Sequence, residues 1–211
     1  MKILVIGGTS GIGRQSVDAA LLRGHAVRAM ARSAGDMSPS EGLEPFTGDA
    51  LNGDDVRRAL AGVDAVVQAL GIKESIAMLW QEVTLFSRAT EVLLPAMHKA
   101  GVSRLIAVTG FGAGASKRSL SPPERFVHGV VFGKPYADKD RQEALIKASD
   151  LDWTIVRPTI LTNSSATGRY NVLAEPATWR NGLISRADVA AFIVDEIERG
   201  EHIRRDVVVT R

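Results

Sequence analysis

The sequence predicts an α/β fold: a doubly wound parallel sheet in a single domain, residues 1–211, with a small C-terminal lobe. Three observations predict it. Short apolar runs alternate with helix-length amphipathic stretches along most of the chain. A glycine-rich turn follows the first apolar run and opens the first helical stretch. The 211-residue length suits one domain that buries about 70% of its unfolded surface. Strands separated by helix-length segments make βαβ units, and those give a parallel sheet covered on both faces.

The elements follow in order. Ile3 to Ile6 is the first buried strand. A helix runs from Gly11 to Arg23, with Ile12, Val17, Ala20 and Leu21 on one face, and Gly24 ends it. Ala26 to Ala31 and Leu43 to Thr47 read as strands. Asn52 to Ala61 reads as a helix, with Asn52 as its cap and Asp54 and Asp55 where acids suit the helix dipole. Asp64 to Ala69 is a fourth strand. A long helix from Trp80 to Ala100 turns Val83, Phe86, Leu93 and Met97 inward, with Pro95 as a kink. Leu105 to Val108 is a strand, Asp138 to Ala148 a helix, and Thr154 to Val156 a strand. Ser185 caps a helix to Ile197 with Asp188 three residues on, and Val207 to Val209 is the last strand. Two stretches, 110–137 and 163–182, lack regular patterning and read as long loops at strand ends, where open α/β sheets bind ligands.

Composition excludes several classes of function. No cysteine is present, so disulfides, thiolate metal sites and thiol nucleophiles are absent. Lys plus Arg number 26 against 24 acids, and the net charge of +2 does not announce a nucleic-acid partner. No apolar run reaches the roughly 18 residues of a membrane span. The four histidines show no metal-ligand spacing, so no metal is expected. A cytoplasmic monomer or homodimer acting on a small molecule is the expectation.

The most informative segment is Gly7-Gly8-Thr9-Ser10-Gly11-Ile12-Gly13-Arg14, between the first strand and first helix. Gly7 permits the tight turn. Gly11 lets a pyrophosphate approach the backbone, and Gly13 lets the helix pack closely on the sheet. Free N–H groups at the helix start would receive the phosphates. At the end of the second strand the chain reads Ala31-Arg32-Ser33, with no acid before Asp36. An acid there would serve the ribose of NAD, whereas Arg32 and Ser33 suit the 2′-phosphate of NADP. Arg14 is placed at the same phosphate. NADP(H) is therefore the expected cofactor.

The glycine loop resembles that of the short-chain dehydrogenase/reductase superfamily, and its G-x-x-x-G-x-G spacing differs from G-x-G-x-x-G. More narrowly the chain is similar to the atypical branch: NAD(P)H-binding and NmrA-like proteins and biliverdin-IXβ/flavin reductases. The resemblance continues through Gly48-Asp49, Gln68-Ala69-Leu70-Gly71, Asp138-Lys139, Leu151-Asp152-Trp153-Thr154-Ile155-Val156-Arg157-Pro158 and Ile184-Ser185-Arg186-Ala187-Asp188-Val189-Ala190. It implies a Rossmann fold. It also implies that Asp49, helped by Ala50, accepts from the adenine amino group, while the alternative for Asp49 is a cap of the following helix. Ala69, Leu70 and Gly71 would line the adenine ribose. Pro158, Thr159 and Ile160 would lie near the nicotinamide carboxamide.

The resemblance implies Tyr-x-x-x-Lys plus a Ser as catalytic groups. Here Lys139 is preceded by Tyr136 at a spacing of three, and Pro135 occupies the expected tyrosine position. The pairing is shifted or absent. Lys139 is the expected ligand of the nicotinamide ribose, Thr109 the nearest hydroxyl at the serine position, and Tyr136 a loop residue within reach. His128 is another candidate proton donor. Phe111, Leu120, Phe126, Val130, Val131 and Phe132 suggest an apolar lid, with Tyr170, Leu173 and Trp179 as the other wall; the alternative is that they anchor the loop. The resulting expectation is an NADPH-dependent reductase of a small aromatic or carbonyl-type acceptor such as a flavin or quinone. A dinucleotide-sensing regulator without turnover is the competing reading, and an epimerase-like enzyme a weaker third.

Overall fold

The computed structural model describes residues 1–71, 83–120 and 122–211, and for 122–133 the backbone path alone. Strand β1 (Lys2–Ile6) pairs in parallel with β2 (Ala26–Ala31) on one side and β4 (Ala65–Gln68) on the other. β3 (Leu43–Thr47) takes the edge beyond β2, a place where Pro45 is tolerated. β5 (Arg104–Val108), β6 (Asp152–Pro158) and β10 (Arg205–Thr210) extend the sheet in parallel on the other side. β8 (Asn171–Leu173) closes the far edge antiparallel to β10, giving the order β3-β2-β1-β4-β5-β6-β10-β8. The strand order reverses between β1 and β4, so a crevice opens beyond their C-terminal ends. β7 (Ile160–Thr162) and β9 (Leu183–Ser185) form a separate two-stranded parallel pair.

Alternation along β1 feeds two cores. Ile3 and Val5 join Val17 and Ala20 of α1 (Gly11–Leu22) and Phe192 and Ile193 of α5 (Arg186–Arg199). Leu4 and Ile6 face the opposite way, toward Val56 of α2 (Gly53–Ala59), Leu93 and Met97 of α3 (Leu85–Ala100), and Ile146 of α4 (Pro122–Lys147). The sheet is thus covered on both faces, which is why its strands read as near-continuous apolar runs. Among the described residues no helix is long and apolar enough to cross a membrane.

Most elements fall where the pattern places them. Asn52 caps α2 by accepting from the amides of Asp54 and Asp55, and Ser185 caps α5 by accepting from that of Asp188. The first turn of the helix expected from Trp80 lies outside the described residues, and α3 begins at Leu85. The expected loop over 110–137 needs correction. After a short 3-10 segment (Gly114–Ser119), α4 begins at Pro122 and absorbs both the remainder of that loop and the helix expected from Asp138. Pro122 and Pro123 signalled a loop in the sequence, but proline is well suited to a first helical turn, where its missing N–H costs nothing. The stretch 163–182 likewise contains β8 and a short 3-10 turn.

Candidate active site

A groove of about 330 Å³ opens at the strand-order reversal. The glycine loop forms its floor. Gly7 holds φ +89, and a Cβ there would stand 2.5 Å from the carbonyl oxygen of Ala69, so no other residue fits without displacement. Gly13 is more constrained still: its Cβ would meet the Gly7 carbonyl oxygen at 2.1 Å. The close packing expected of Gly13 is therefore between helix and loop, not helix and sheet. Gly11, at φ +55, faces open space with no atom within 4 Å of a would-be Cβ. Ser10, the N-cap, makes no side-chain cap bond. The first-turn amides of Gly11 and Ile12 are thus available for an anion, while the Ile12 side chain packs against the core.

The groove carries nine of the expected cofactor contacts. Thr9, Ser10, Arg32 and Ser33 line one side. The Thr9 and Ser33 hydroxyls lie 3.2 Å apart and tie the glycine loop to the end of β2. The exposed Arg32 guanidinium makes no hydrogen bond or ion pair among the described residues. Asp49, Ala50, Leu70 and Gly71 line the other side. Asp49 Oδ1 accepts from the Leu51 amide at 2.9 Å, and the cap of α2 is Asn52, so the capping alternative for Asp49 does not hold. Ala69 packs on the core beneath the loop and is not itself a wall. Met30, Leu51 and Leu85 complete the groove; no sequence signal singled out these three, because ordinary apolar residues become groove walls only through the fold.

Arg14 needs correction. Its Nε donates to both carboxylate oxygens of Asp18, at 3.0 and 3.1 Å, one turn along α1. It lines a second cavity together with Ser10 and Gly11, not the groove that holds Arg32 and Ser33.

The catalytic candidates meet at the end of β5. Tyr136 and Lys139 lie three apart on α4, and residues at that spacing share a helix face. The Lys139 ammonium donates to the Thr109 carbonyl at 2.9 Å and rests 4.2 Å from the centre of the Phe86 ring. The Tyr136 hydroxyl lies against Gly110, 2.8 Å from where a Cβ would be. Burial pushes the Tyr136 phenol up to about 12. Burial also pushes Lys139 down to about 8, against the pull of Glu143 and Asp138. Phe86 follows Leu85, a groove wall, and so links this pair to the groove.

The supporting roles of two carboxylates, Asp138 and Glu143, escaped sequence reasoning. Buried Asp138 accepts from the amides of Phe86 at 2.8 Å and Ser87 at 3.3 Å and from the Ser87 hydroxyl, fastening the start of α3 to α4. Buried Glu143 accepts from Thr109 Oγ1 at 2.8 Å and from Arg157 at 3.0 and 2.6 Å. Arg157 also contacts Asp206 at 2.6 Å and lies 4.8 Å from the Trp179 ring centre. The signal was present in the i, i+4 spacing of Lys139 and Glu143, but such pairs are common on exposed helix faces.

Three expected cofactor contacts lie elsewhere. Pro158 is buried, its carbonyl accepting from the Phe111 amide at 3.0 Å. Thr159 is buried, with its hydroxyl 3.1 Å from that of Thr210. Ile160 is exposed on β7. None of the three lines the groove or the second cavity; their backbone groups are engaged by Phe111, by Val209 of β10 and by Gly182. The apolar lid is corrected in part: Phe111, Leu120 and Trp179 are buried in one cluster with Leu173 packed against it, so they anchor the loop. Tyr170 donates to Asp195 at 3.0 Å and packs edge-on to Phe192. The side chains of Phe126, His128, Val130, Val131 and Phe132 lie outside the described residues.

Comparison with known proteins agrees with this geometry. A family model described as NAD(P)H-binding matches residues 7–199. An uncharacterised chloroplastic protein of Arabidopsis thaliana is 31% identical over 211 residues, covering 95% of this chain and 73% of its own. Sterol demethylase protein B of Methylococcus capsulatus is 30% identical over 174 residues, covering 76% of this chain and 52% of its own. The solved structure of ChuY, an anaerobillin reductase from Escherichia coli O157:H7, superposes with a TM-score of 0.80 at 25% identity, over 100% of this chain and 97% of that one. The glycine loop, the groove at the sheet's switch point and the match across nearly the whole chain identify a Rossmann-fold member of the NAD(P)H-binding family, an atypical branch of the short-chain dehydrogenases and reductases.

Proposed function

We propose that the protein is an NADPH-dependent reductase that passes a hydride to a small aromatic or carbonyl-type acceptor such as a flavin or quinone. One observation carries the reading: Tyr136 and Lys139 converge on Thr109 and Gly110, and Lys139 packs on Phe86, the neighbour of groove residue Leu85. The glycine loop fits the cofactor, since Gly11 leaves open space over an uncapped helix start. Arg32 and Ser33 would hold the 2′-phosphate, Asp49 and Gly71 the adenosine, and Lys139 the nicotinamide ribose. The absence of any acid among the groove residues at the end of β2 supports NADPH over NADH.

The bound dinucleotide supplies the hydride. The chain supplies position and a proton. Tyr136, pushed up to about 12, stays a neutral phenol at pH 7 and so acts as a proton donor to the reduced acceptor, not as a tyrosinate base. Lys139, cationic at pH 7, favours negative charge growing nearby. The name of the reductase relative supports the reaction class.

The test is steady-state oxidation of NADPH and NADH against flavins, quinones and aldehydes. Turnover with NADPH and at least one acceptor class is expected. Tight NADPH binding without turnover across the panel would instead favour a dinucleotide sensor.

A further inference from the structure

Helix α3 starts without a cap of its own. Its flanking residue Thr84 makes no side-chain cap bond, and no acid stands in its first turn. The first amides of a helix need acceptors. Here the acceptor comes from another helix. Asp138 of α4, fully buried, accepts from the amides of Phe86 at 2.8 Å and Ser87 at 3.3 Å and from the Ser87 hydroxyl. A carboxylate there also suits the positive end of the helix dipole. Three residues on, Arg141 donates to the Val83 carbonyl at 3.2 Å and to Asp138 at 3.4 Å. Helix α4 therefore grips the chain on both sides of Thr84.

Two consecutive side chains at this joint face different partners. Leu85 is a wall of the dinucleotide groove, and the ring of buried Phe86 lies 4.2 Å from the Lys139 ammonium. That ammonium has three hydrogens. The Thr109 carbonyl accepts one at 2.9 Å, and the Phe86 ring covers another side, where its π face attracts the cation. Asp138 thus fixes the ring on which its chain neighbour Lys139 rests. A separate clamp ties the same elements together without it. Gln68, the last residue of β4, accepts from Thr90 of α3 at 3.1 Å and from Gln142 of α4 at 2.9 Å. Loss of the Asp138 carboxylate should therefore free the start of α3 while its body stays packed.

We propose that Asp138 is a positioning residue: by capping α3 from α4 it holds the Phe86 ring against Lys139 and so aims the ammonium at the nicotinamide ribose. The kinetic consequence rests on the reductase reading above, whereas the placement of the ring is independent of it.

NMR of the full chain with isotope-labelled lysine reads the ring directly, because protons above an aromatic face resonate upfield. The Lys139 ε-methylene signal, identified by its loss in Lys139→Arg, should lie upfield in the parent and return to the ordinary lysine position in Phe86→Leu. Asp138→Asn, which keeps Phe86, should carry it most of the way back. Ser87→Ala, which removes the hydroxyl bond and spares the carboxylate, should carry it part of the way. In steady-state oxidation of NADPH with the quinone menadione, Asp138→Asn should lower kcat about tenfold or more and keep KM for NADPH within about twofold, as misplacement of an active-site group does. A signal that stays at its parental place in Asp138→Asn, or in Ser87→Ala where the first variant is unfolded, would overturn the proposal. A parent signal at the ordinary lysine position would do the same. So would a raised KM for NADPH at parental kcat, which assigns Asp138 to the groove wall at Leu85. If the parent oxidised NADPH with no acceptor, the reductase reading would fall, and the lysine signal would still decide what Asp138 does.

Discussion

Thr109 Oγ1 donates to Glu143 Oε1 at 2.8 Å. The hydroxyl nearest the serine position of the superfamily has therefore committed its proton to a buried carboxylate that also holds Arg157. A hydroxyl so engaged accepts hydrogen bonds but does not polarise an acceptor carbonyl. Its backbone carbonyl, which receives Lys139, is the part of Thr109 that serves the site.

Thr109→Val should accordingly lower kcat by less than about tenfold, where loss of a polarising donor costs about 100-fold or more. Stability should fall by about 1–2 kcal/mol, because Glu143 loses one partner. Glu143→Gln should cost more, about 3 kcal/mol, since it weakens the pairing of a buried guanidinium. Thermal unfolding alongside steady-state kinetics separates the two effects; a 100-fold drop in kcat for Thr109→Val at intact stability would return the hydroxyl to the chemistry.

Tyr136→Phe should lower kcat by about 100-fold with a carbonyl acceptor and leave NADPH affinity unchanged, as expected for loss of a general acid. The pH profile should come from Lys139. Its pKa of about 8 in the folded chain lies below the ordinary 10.5, so charge is lost as pH rises through 8 and kcat/KM should fall on that alkaline limb. Lys139→Arg should move the break to higher pH, because guanidinium does not titrate there. The same depression makes this group's contribution to stability rise with pH between about 8 and 10.5, since the unfolded chain binds the proton more tightly there.

Arg32→Ala should weaken NADPH binding by about 1.5–3 kcal/mol, the range of a charged hydrogen bond, and leave NADH binding nearly unchanged. Calorimetric titration with both coenzymes reads the difference directly. Equal NADPH affinity in variant and parent would remove Arg32 from the 2′-phosphate.

The two inner glycines of the loop should respond differently. Gly11→Ala keeps the fold, at a cost of about 1 kcal/mol for a side chain at positive φ, and loses dinucleotide affinity because the methyl enters the approach path. Gly13→Ala should lose both stability and affinity, since its Cβ meets the Gly7 carbonyl and overpacking costs about 1–3 kcal/mol. Unfolding midpoints compared with dinucleotide titrations distinguish the pair.

The amino-acid sequence alone determined the sheet, the glycine loop with its strand before and helix after, the caps at Asn52 and Ser185, and the groove residues Arg32, Ser33 and Asp49. These are local: period-two burial, turn chemistry and capping act between residues a few positions apart. Tertiary packing decided the rest. Thr109 meets Glu143 across 34 positions, and Phe86 meets Asp138 across 52. Whether a hydroxyl gives its proton to a carboxylate or to an acceptor depends on which helices pack together. Local periodicity places a side chain on a face, but it carries no information about what a distant segment brings to meet that face.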